Sequence, residues 1–223
     1  MTKTAIIWEE KYLEHLTGRG HPERPQRLKA VKEVIDADSS LIHLPARMAT
    51  EEELEWVHTK EHIAKIQSTA GDAVSALDVD TRVSELSCEA AFLAAGGLLT
   101  AVEAVEKSEV DNAFAFPRPP GHHAESDKAM GFCLFNNVAV AAEYLIHVKG
   151  KKRVAIVDFD VHHGNGTQRS FYKRKDVFYT SAHRFPFYPG TGAEHETGLD
   201  EGEGYTLNVP LSSYGDDDDY AKA

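Results

Sequence analysis

The most reactive part of the sequence is a loop that follows an apolar segment, residues 154–157. Asp158, Asp160 and His162 alternate along this loop, and alternate residues of an extended chain face the same way. Carboxylate oxygen together with imidazole nitrogen suits zinc, and the same ligands also accept iron, cobalt or manganese. Capping and turn roles explain one aspartate at a strand end, but not two aspartates together with two histidines, His162 and His163. The spacing therefore predicts a metal site.

Glycine and proline are expected to shape the backbone around this chemistry. Gly164 and Gly166 follow the predicted ligands, and we expect them to let the chain turn sharply beneath the site. A second loop, residues 117–124, contains three prolines, which would present His122 and His123 on a stiff element. Two adjacent histidines can divide the work of hydrolysis, one taking a proton from water and the other stabilising charge.

A third segment, residues 181–192, places aromatic residues beside glycines and prolines. Such a segment can form the wall of a narrow apolar channel. Taken alone, however, it is more typical of a packed loop.

The elements that position these loops follow from the apolar pattern. Strands are predicted at residues 5–8, 113–116, 153–159, 177–181 and 205–209. Helices are predicted from Pro25, beyond a Thr50–Glu53 capping box, at residues 87–107 and 136–147, and near Gln168. This alternation predicts an α/β fold, a single domain over residues 1–223 whose mostly parallel sheet is flanked by helices on both faces. Functional loops of such sheets gather at the carboxyl ends of the strands. The acidic run at residues 216–219 is expected to be a solvated turn.

Composition narrows the classes of function. The chain has 223 residues, of which 42% are hydrophobic and 27% charged, as in folded single domains. Its net charge of −12 would repel phosphate backbones, so no nucleic-acid partner is expected. We find no secretory signal and no segment near the ~20 apolar residues that cross a bilayer, so no membrane partner is expected. Two cysteines, Cys88 and Cys133, fit a reducing compartment, and we predict a cytoplasmic protein.

Together these motifs resemble the histone deacetylase family, including its bacterial and archaeal deacetylase-like and acetylpolyamine amidohydrolase members. The resemblance covers the whole chain. Its ordered motifs are residues 20–25, 118–123, 131–137, 158–166 and 189–192. It implies an arginase/deacetylase-like fold.

The resemblance implies two kinds of metal ligand. Asp160 and His162 would bind one catalytic zinc ion. A potassium ion is often bound in the family, and here it would involve Asp158, Ser181 and Ala182. In the family, a second aspartate ligand and a tyrosine that stabilises the oxyanion lie beyond the final strand, and we find no candidate for either in residues 1–223. We therefore expect the deacetylase-like domain to be incomplete at its C-terminus.

The resemblance also implies roles in proton transfer. His123 would be the general base that acts on zinc-bound water, with His122 as its electrostatic partner. Asp158 would orient His122. Asn165 stands where the group that supports His123 is found, and an asparagine there is typical of the class II-like branch, which removes one negative charge from the environment of the base.

Substrate would be held by an aromatic channel. Gly131 and Phe132 match the channel wall of the family, and Tyr188 lies where a second aromatic residue faces Phe132. A slot between two rings suits the methylenes of an acyl-lysine or acyl-amine chain. Acidic residues near Asp78 and Asp80 are weaker candidates for the rim.

The function implied is zinc-dependent hydrolysis of an amide, which removes an acyl group, typically acetyl, from a lysine side chain or a polyamine. Two alternatives remain open. The first is a truncated, non-catalytic deacetylase-like module. The second is an arginase-like manganese ureohydrolase, although its two-metal site needs more aspartates than these loops supply. Association into a homo-oligomer is a further expectation, because a sheet without its last strands exposes an edge.

Overall fold

A computed structural model describes residues 2–222, in which strands and helices alternate along the chain. The strands are β1 Thr4–Ile7, β2 Ile42–His43, β3 Ser75–Ala76, β4 Arg82–Val83, β5 Asn112–Ala115, β6 Val154–Asp158, β7 Val177–Arg184 and β8 Thr206–Leu211. The helices are α1 Pro25–Asp36, α2 Glu51–Glu55, α3 Lys60–Gln67, α4 Ser87–Glu106, α5 Asn137–His147, α6 Asn165–Phe171 and α7 Asp217–Lys222. The predicted α/β class, with parallel sheets flanked by helices, is confirmed.

Strand pairing divides the parallel strands into two sheets. One sheet has the order β2-β1-β5 and the other β6-β7-β8, while β3 and β4 form a small antiparallel pair. Both three-stranded sheets are parallel throughout. The sequence predicted one sheet, and it did not indicate that β5 and β6 each end a separate hydrogen-bonded ladder.

A groove of about 650 Å³ lies between β5, an edge strand of one sheet, and β6, an edge strand of the other. Val157, on the exposed face of β6, has 68% of its surface accessible, and Phe159 just beyond the strand has 78%. Both side chains line the groove. Two strand edges and an apolar surface are thus exposed side by side.

Helix α4 forms the centre of the larger core. Its small and apolar residues are buried against α5, α2 and α3 side chains such as Leu54, Ile63 and Val140. A Cβ at Gly96 would lie 2.7 Å from the carbonyl carbon of Met48, so this glycine permits close packing.

By length and composition α4 is also apolar enough to cross a membrane, contrary to the expectation that no segment approaches that limit. Its apolar window is 56% buried inside the fold, as in a core helix.

Local capping signals determine where several helices begin. The predicted capping box is present at α2, where Thr50 and Glu53 exchange side-chain and backbone hydrogen bonds. Asn136 caps α5, since its side chain accepts from the backbone N–H of Ala139 at 3.0 Å. The acidic run at residues 216–219 was predicted to be a turn, but most of it forms the first turn of α7. Carboxylates are favourable there because a helix N-terminus is electropositive.

Candidate active site

A cavity of about 440 Å³ opens where the loops after β5 and β6 meet. Its lining includes predicted residues from all three reactive segments of the sequence, His122, His123, Asp160, His162 and Tyr188, together with Gly131 and Phe132 of the predicted channel wall. Asp158 and Asn165 lie behind the histidine rings and hydrogen-bond to them. The structure therefore brings the catalytic, zinc and substrate candidates into one site.

The loop after β6 is folded by its own carboxylates. Asp158 Oδ1 accepts a hydrogen bond from the backbone N–H of Asp160 at 3.1 Å, and Asp160 Oδ1 accepts from that of His162 at 2.8 Å. The ring Nδ1 of His162 also lies 3.1 Å from Asp160 Oδ1. The side chains of Asp160 and His162 are 51% and 34% exposed, so both can be reached from the cavity.

These two donors suit a zinc ion. Tetrahedral zinc with bonds of ~2.1 Å holds two ligand atoms roughly 3.4 Å apart, close to the 3.1 Å between Asp160 Oδ1 and His162 Nδ1. A zinc site needs three protein ligands. Within residues 2–222, however, no group of three or more His, Cys, Asp or Glu side chains is arranged to hold a metal ion. Asp160 and His162 are thus two candidate ligands, and the described residues bring no third such side chain beside them.

His122 and His123 lie side by side, with ring centroids 4.0 Å apart. His122 Nδ1 is 3.0 Å from Asp158 Oδ2, and the Tyr179 hydroxyl donates to the same oxygen at 3.3 Å. Burial alone would lower the pKa of His122, but the hydrogen bond and charge of Asp158 outweigh it, so this pKa is raised. Burial favours the neutral acid of Asp158, yet its hydrogen bonds, first to His122, lower its pKa. The pair therefore favours an imidazolium beside a carboxylate.

His123 is held differently. Its Nδ1 lies 2.9 Å from Asn165 Oδ1, a neutral partner, and only 4% of the residue is exposed. Burial, followed by the charge of His122, lowers the pKa of His123 to about 3. One ring of the pair is thus prepared to carry charge and the other to remain neutral.

Glycines bring the backbone against these rings. Gly131 has φ +56°, and a Cβ there would lie 2.6 Å from His123 Cγ, so both its conformation and its position require glycine. Gly164 and Gly166 were predicted to make a sharp turn, but neither has a positive φ. A Cβ at Gly166 would instead lie 2.8 Å from the carbonyl carbon of His123. Its function is close packing of α6 on the histidine loop.

Aromatic side chains lie beside the candidate metal ligands and the paired histidines. Tyr188 lies edge-on to His123, with centroids 5.1 Å apart, whereas Phe132 contacts His21 at 4.8 Å. Phe187 stacks on His162 with centroids 5.0 Å apart and planes 13° apart. Phe187 was not among the predicted site residues, although it lies next to Tyr188 in the aromatic segment.

The rim of the cavity is supported by the segment around Asp80. Asp80 Oδ1 accepts from the backbone N–H of Gly131 at 3.2 Å, and Thr81 Oγ1 accepts from that of Phe132 at 3.1 Å. Of the two weaker candidates, Asp80 lines the cavity. Asp78 is paired with Lys128 at 3.3 Å.

The predicted potassium ligands lie together below the rings. Ser181 on β7 is the register partner of Asp158 on β6, and Ala182 follows it. Ser181 is fully buried, and its hydroxyl is 2.9 Å from His183 Nδ1. Potassium binding here stays a prediction.

Comparison with known proteins gives a single consistent result. Residues 21–223 match the model of the histone deacetylase domain. The chain is 44% identical to Histone deacetylase 15 of Arabidopsis thaliana and 40% identical to the Histone deacetylase-like amidohydrolase of Pseudomonas aeruginosa. Those alignments cover 98% and 99% of this chain.

Among solved structures, the crystal structure of the HDA15 HD domain superposes with a TM-score of 0.91 and 44% identity over 96% of the chain. The chain spans 63% of that structure, and 42% and 64% of the plant and bacterial relatives.

Proposed function

The chain belongs to the histone deacetylase family, and from that premise we propose that its site serves zinc-dependent hydrolysis of acetyl-lysine or acetylpolyamine amides. One observation carries the proposal. A single cavity holds His123, which is neutral, and His122, which favours its charged form. The carboxylate of Asp160 and the imidazole of His162 line the same cavity. His123 and His162 face each other across this cavity, with ring centroids 5.9 Å apart. Membership of this family supports a hydrolase activity. The dependence on zinc and the choice of acetyl-lysine or acetylpolyamine as substrate are proposals.

Asp160 and His162 would hold the zinc ion. When bound, zinc supplies a Lewis acid that polarises the amide carbonyl and lowers the pKa of water. His123 is neutral and buried, so it accepts the proton that the attacking water loses. His122, charged beside Asp158, stabilises the negative charge that develops on the carbonyl oxygen and can protonate the leaving amine. The products are acetate and a free amine.

The shape of the cavity supports an extended amine substrate. Tyr188 and Phe132 line it with apolar surface, which suits the methylene chain of lysine or a polyamine. Asp80 also lines the cavity and places a carboxylate where a cationic substrate would approach. We propose acyl-lysine peptides and acetylpolyamines as the substrate classes on these grounds.

A second candidate, a non-catalytic deacetylase-like module, is favoured by one observation. Among the described residues no third His, Cys, Asp or Glu side chain joins the candidate ligands Asp160 and His162, and a site with two protein ligands would bind zinc more weakly. The manganese ureohydrolase alternative has less support, because the loops offer no second cluster of carboxylates among the described residues.

The two candidates are separated by an assay for acetate release. We expect acetate from an acetyl-lysine peptide or an N-acetylated polyamine when the protein is supplied with zinc, and loss of the signal with a chelator. Zinc binding without acetate release from either substrate would establish the non-catalytic module. Metal analysis that finds two manganese ions per chain would contradict both.

A further inference from the structure

The amide of Asn165 is contacted at both of its polar atoms. Its Oδ1 lies 2.9 Å from His123 Nδ1, and its Nδ2 donates to Glu125 Oε1 at 2.9 Å. The Nδ2 group is also near the backbone oxygen of His123 at 3.4 Å and Met130 Sδ at 3.5 Å. An ionised carboxylate, a carbonyl and a thioether can only accept hydrogen bonds. The NH₂ end of the amide must therefore face Glu125.

This orientation determines where the proton of His123 lies. Because an amide oxygen only accepts, the ring Nδ1 that faces Asn165 must be the donor. A neutral imidazole carries one proton, so Nε2 is left with a free lone pair. That second nitrogen is the atom on the far side of the ring from Asn165, and a general base needs its lone pair there.

Glu125 is itself held in place. Its second oxygen pairs with Arg169, which lies one helical turn after Asn165 on α6. The buried ring of His58 donates from Nδ1 to the backbone oxygen of Glu125 at 3.0 Å. The side chain of Glu125 is only 16% exposed, compared with 62% for Arg169. The carboxylate is thus fixed against the amide, and its charge strengthens the hydrogen bond.

We propose that Glu125 is a positioning residue for the general base, because it orients the Asn165 amide and thereby fixes the tautomer of His123. The inference deepens the proposed function and rests on it for the catalytic meaning of the tautomer. Two hydrogen bonds in series, from His123 to Asn165 and from Asn165 to Glu125, separate the imidazole ring from the negative charge of Glu125. An aspartate at position 165 would place that charge directly on Nδ1.

The test is ¹⁵N NMR of histidine-labelled protein at mildly alkaline pH, with His123 assigned from a His123→Gln spectrum. In the wild type we expect a protonated Nδ1 and an unprotonated Nε2. Glu125→Ala removes the charged acceptor, and we expect the ratio of the two tautomers to fall by about tenfold or more. Glu125→Gln keeps an uncharged accepting oxygen, so we expect it to restore part of that ratio.

Arg169→Gln is the matched control. It removes the ion pair on the other oxygen of Glu125 but leaves the acceptor that contacts Asn165, so we expect a clearly smaller fall in the tautomer ratio than in Glu125→Ala. An unchanged His123 spectrum in Glu125→Ala would overturn the proposal. So would equal losses in Glu125→Ala and Arg169→Gln, or equal spectra for the Ala and Gln variants. Circular dichroism of each variant verifies folding, and Glu125→Gln, which is nearly isosteric, covers the case in which the alanine variant does not fold.

Kinetics provide a separate readout. With zinc and an acetyl-lysine peptide we expect Glu125→Ala to lower kcat with little change in KM, because Glu125 is not one of the residues that line the cavity. If the wild type releases no acetate, the proposed function fails, while the spectra still decide the role of Glu125.

Discussion

The two halves of the site differ in how their side chains are held. His122 and His123 each have a partner behind the ring, and their exposures are only 18% and 4%. Asp160 and His162 hydrogen-bond within their own loop and are 51% and 34% exposed. The proposed proton transfer would thus use geometry that the fold fixes in advance, whereas the proposed metal binding would use donors that remain accessible. Four experiments test this contrast, and the one with the largest expected effect comes first.

The largest effect should follow from removal of the proposed base. His123→Ala should lower kcat/KM for acetyl-lysine hydrolysis by about 10²- to 10⁴-fold, because it removes the proposed acceptor of the proton that the attacking water loses. His195→Ala, which removes an exposed histidine, is the control for the assay. Equal activity of the two variants would remove His123 from the mechanism.

The next effect concerns the exposed half. Asp160→Ala should weaken zinc binding at least ~100-fold, since loss of a partner behind a ligand already costs 10- to 100-fold. Calorimetric titration with zinc measures the change. Asp217→Ala, an exposed carboxylate on α7, removes the same charge far from the loop. Similar affinities for the two variants would show that the ion binds elsewhere.

A matched pair of substitutions compares the stability of the two halves directly. Asp158→Asn should lower the free energy of unfolding by roughly 1.5–3 kcal/mol, because it leaves a charged hydrogen bond to His122 unmade. Asp160→Asn should change it by less than ~0.5 kcal/mol, as at most exposed positions. Urea denaturation of both variants without metal measures the difference. Equal losses of stability would refute the contrast between anchored and accessible halves.

The smallest effect is a pH dependence that arises from His58, whose ring contacts Glu125 behind the anchored half. Burial lowers the pKa of His58 to about 3, so the unfolded chain, with a histidine pKa of 6.5, binds the proton first. The stabilisation is complete above pH ~6.5 and is lost as the pH falls toward about 3. Between pH 7 and 6 this one group should cost roughly 0.7 kcal/mol.

Denaturant unfolding at several pH values measures that slope. We expect His58→Gln to reduce the slope by the contribution of one group, and His195→Gln to leave it unchanged. A slope that is the same in wild type and His58→Gln would show that His58 does not resist protonation.

Much of the site could be predicted from the sequence, because its residues lie in loops that directly follow predicted strands. The period of two in Asp158, Asp160 and His162 is local, and so are the capping box and the strand positions. The contact of Asn165 with Glu125 is different. Forty residues separate the two, and only the packing of α6 on the histidine loop brings them together.

Other features also depended on tertiary structure. A turn was predicted at Gly166. The structure gives a different reason for a glycine there, because the backbone of His123 leaves no room for a side chain. The stacking of Phe187 on His162 requires the course of the loop after β7. The division of the strands into two sheets depends on which edges pair, and an alternating order of strands and helices does not specify that.

The open edges of β5 and β6 have a practical consequence for handling the protein. β5 and β6 are each paired with one strand only, and Val157 and Phe159 beside them are exposed, so this surface can template contacts between molecules. We therefore expect light scattering of concentrated samples to rise steeply with protein concentration, and a lysine at position 159 to suppress that rise. The protein should therefore be kept at low concentration.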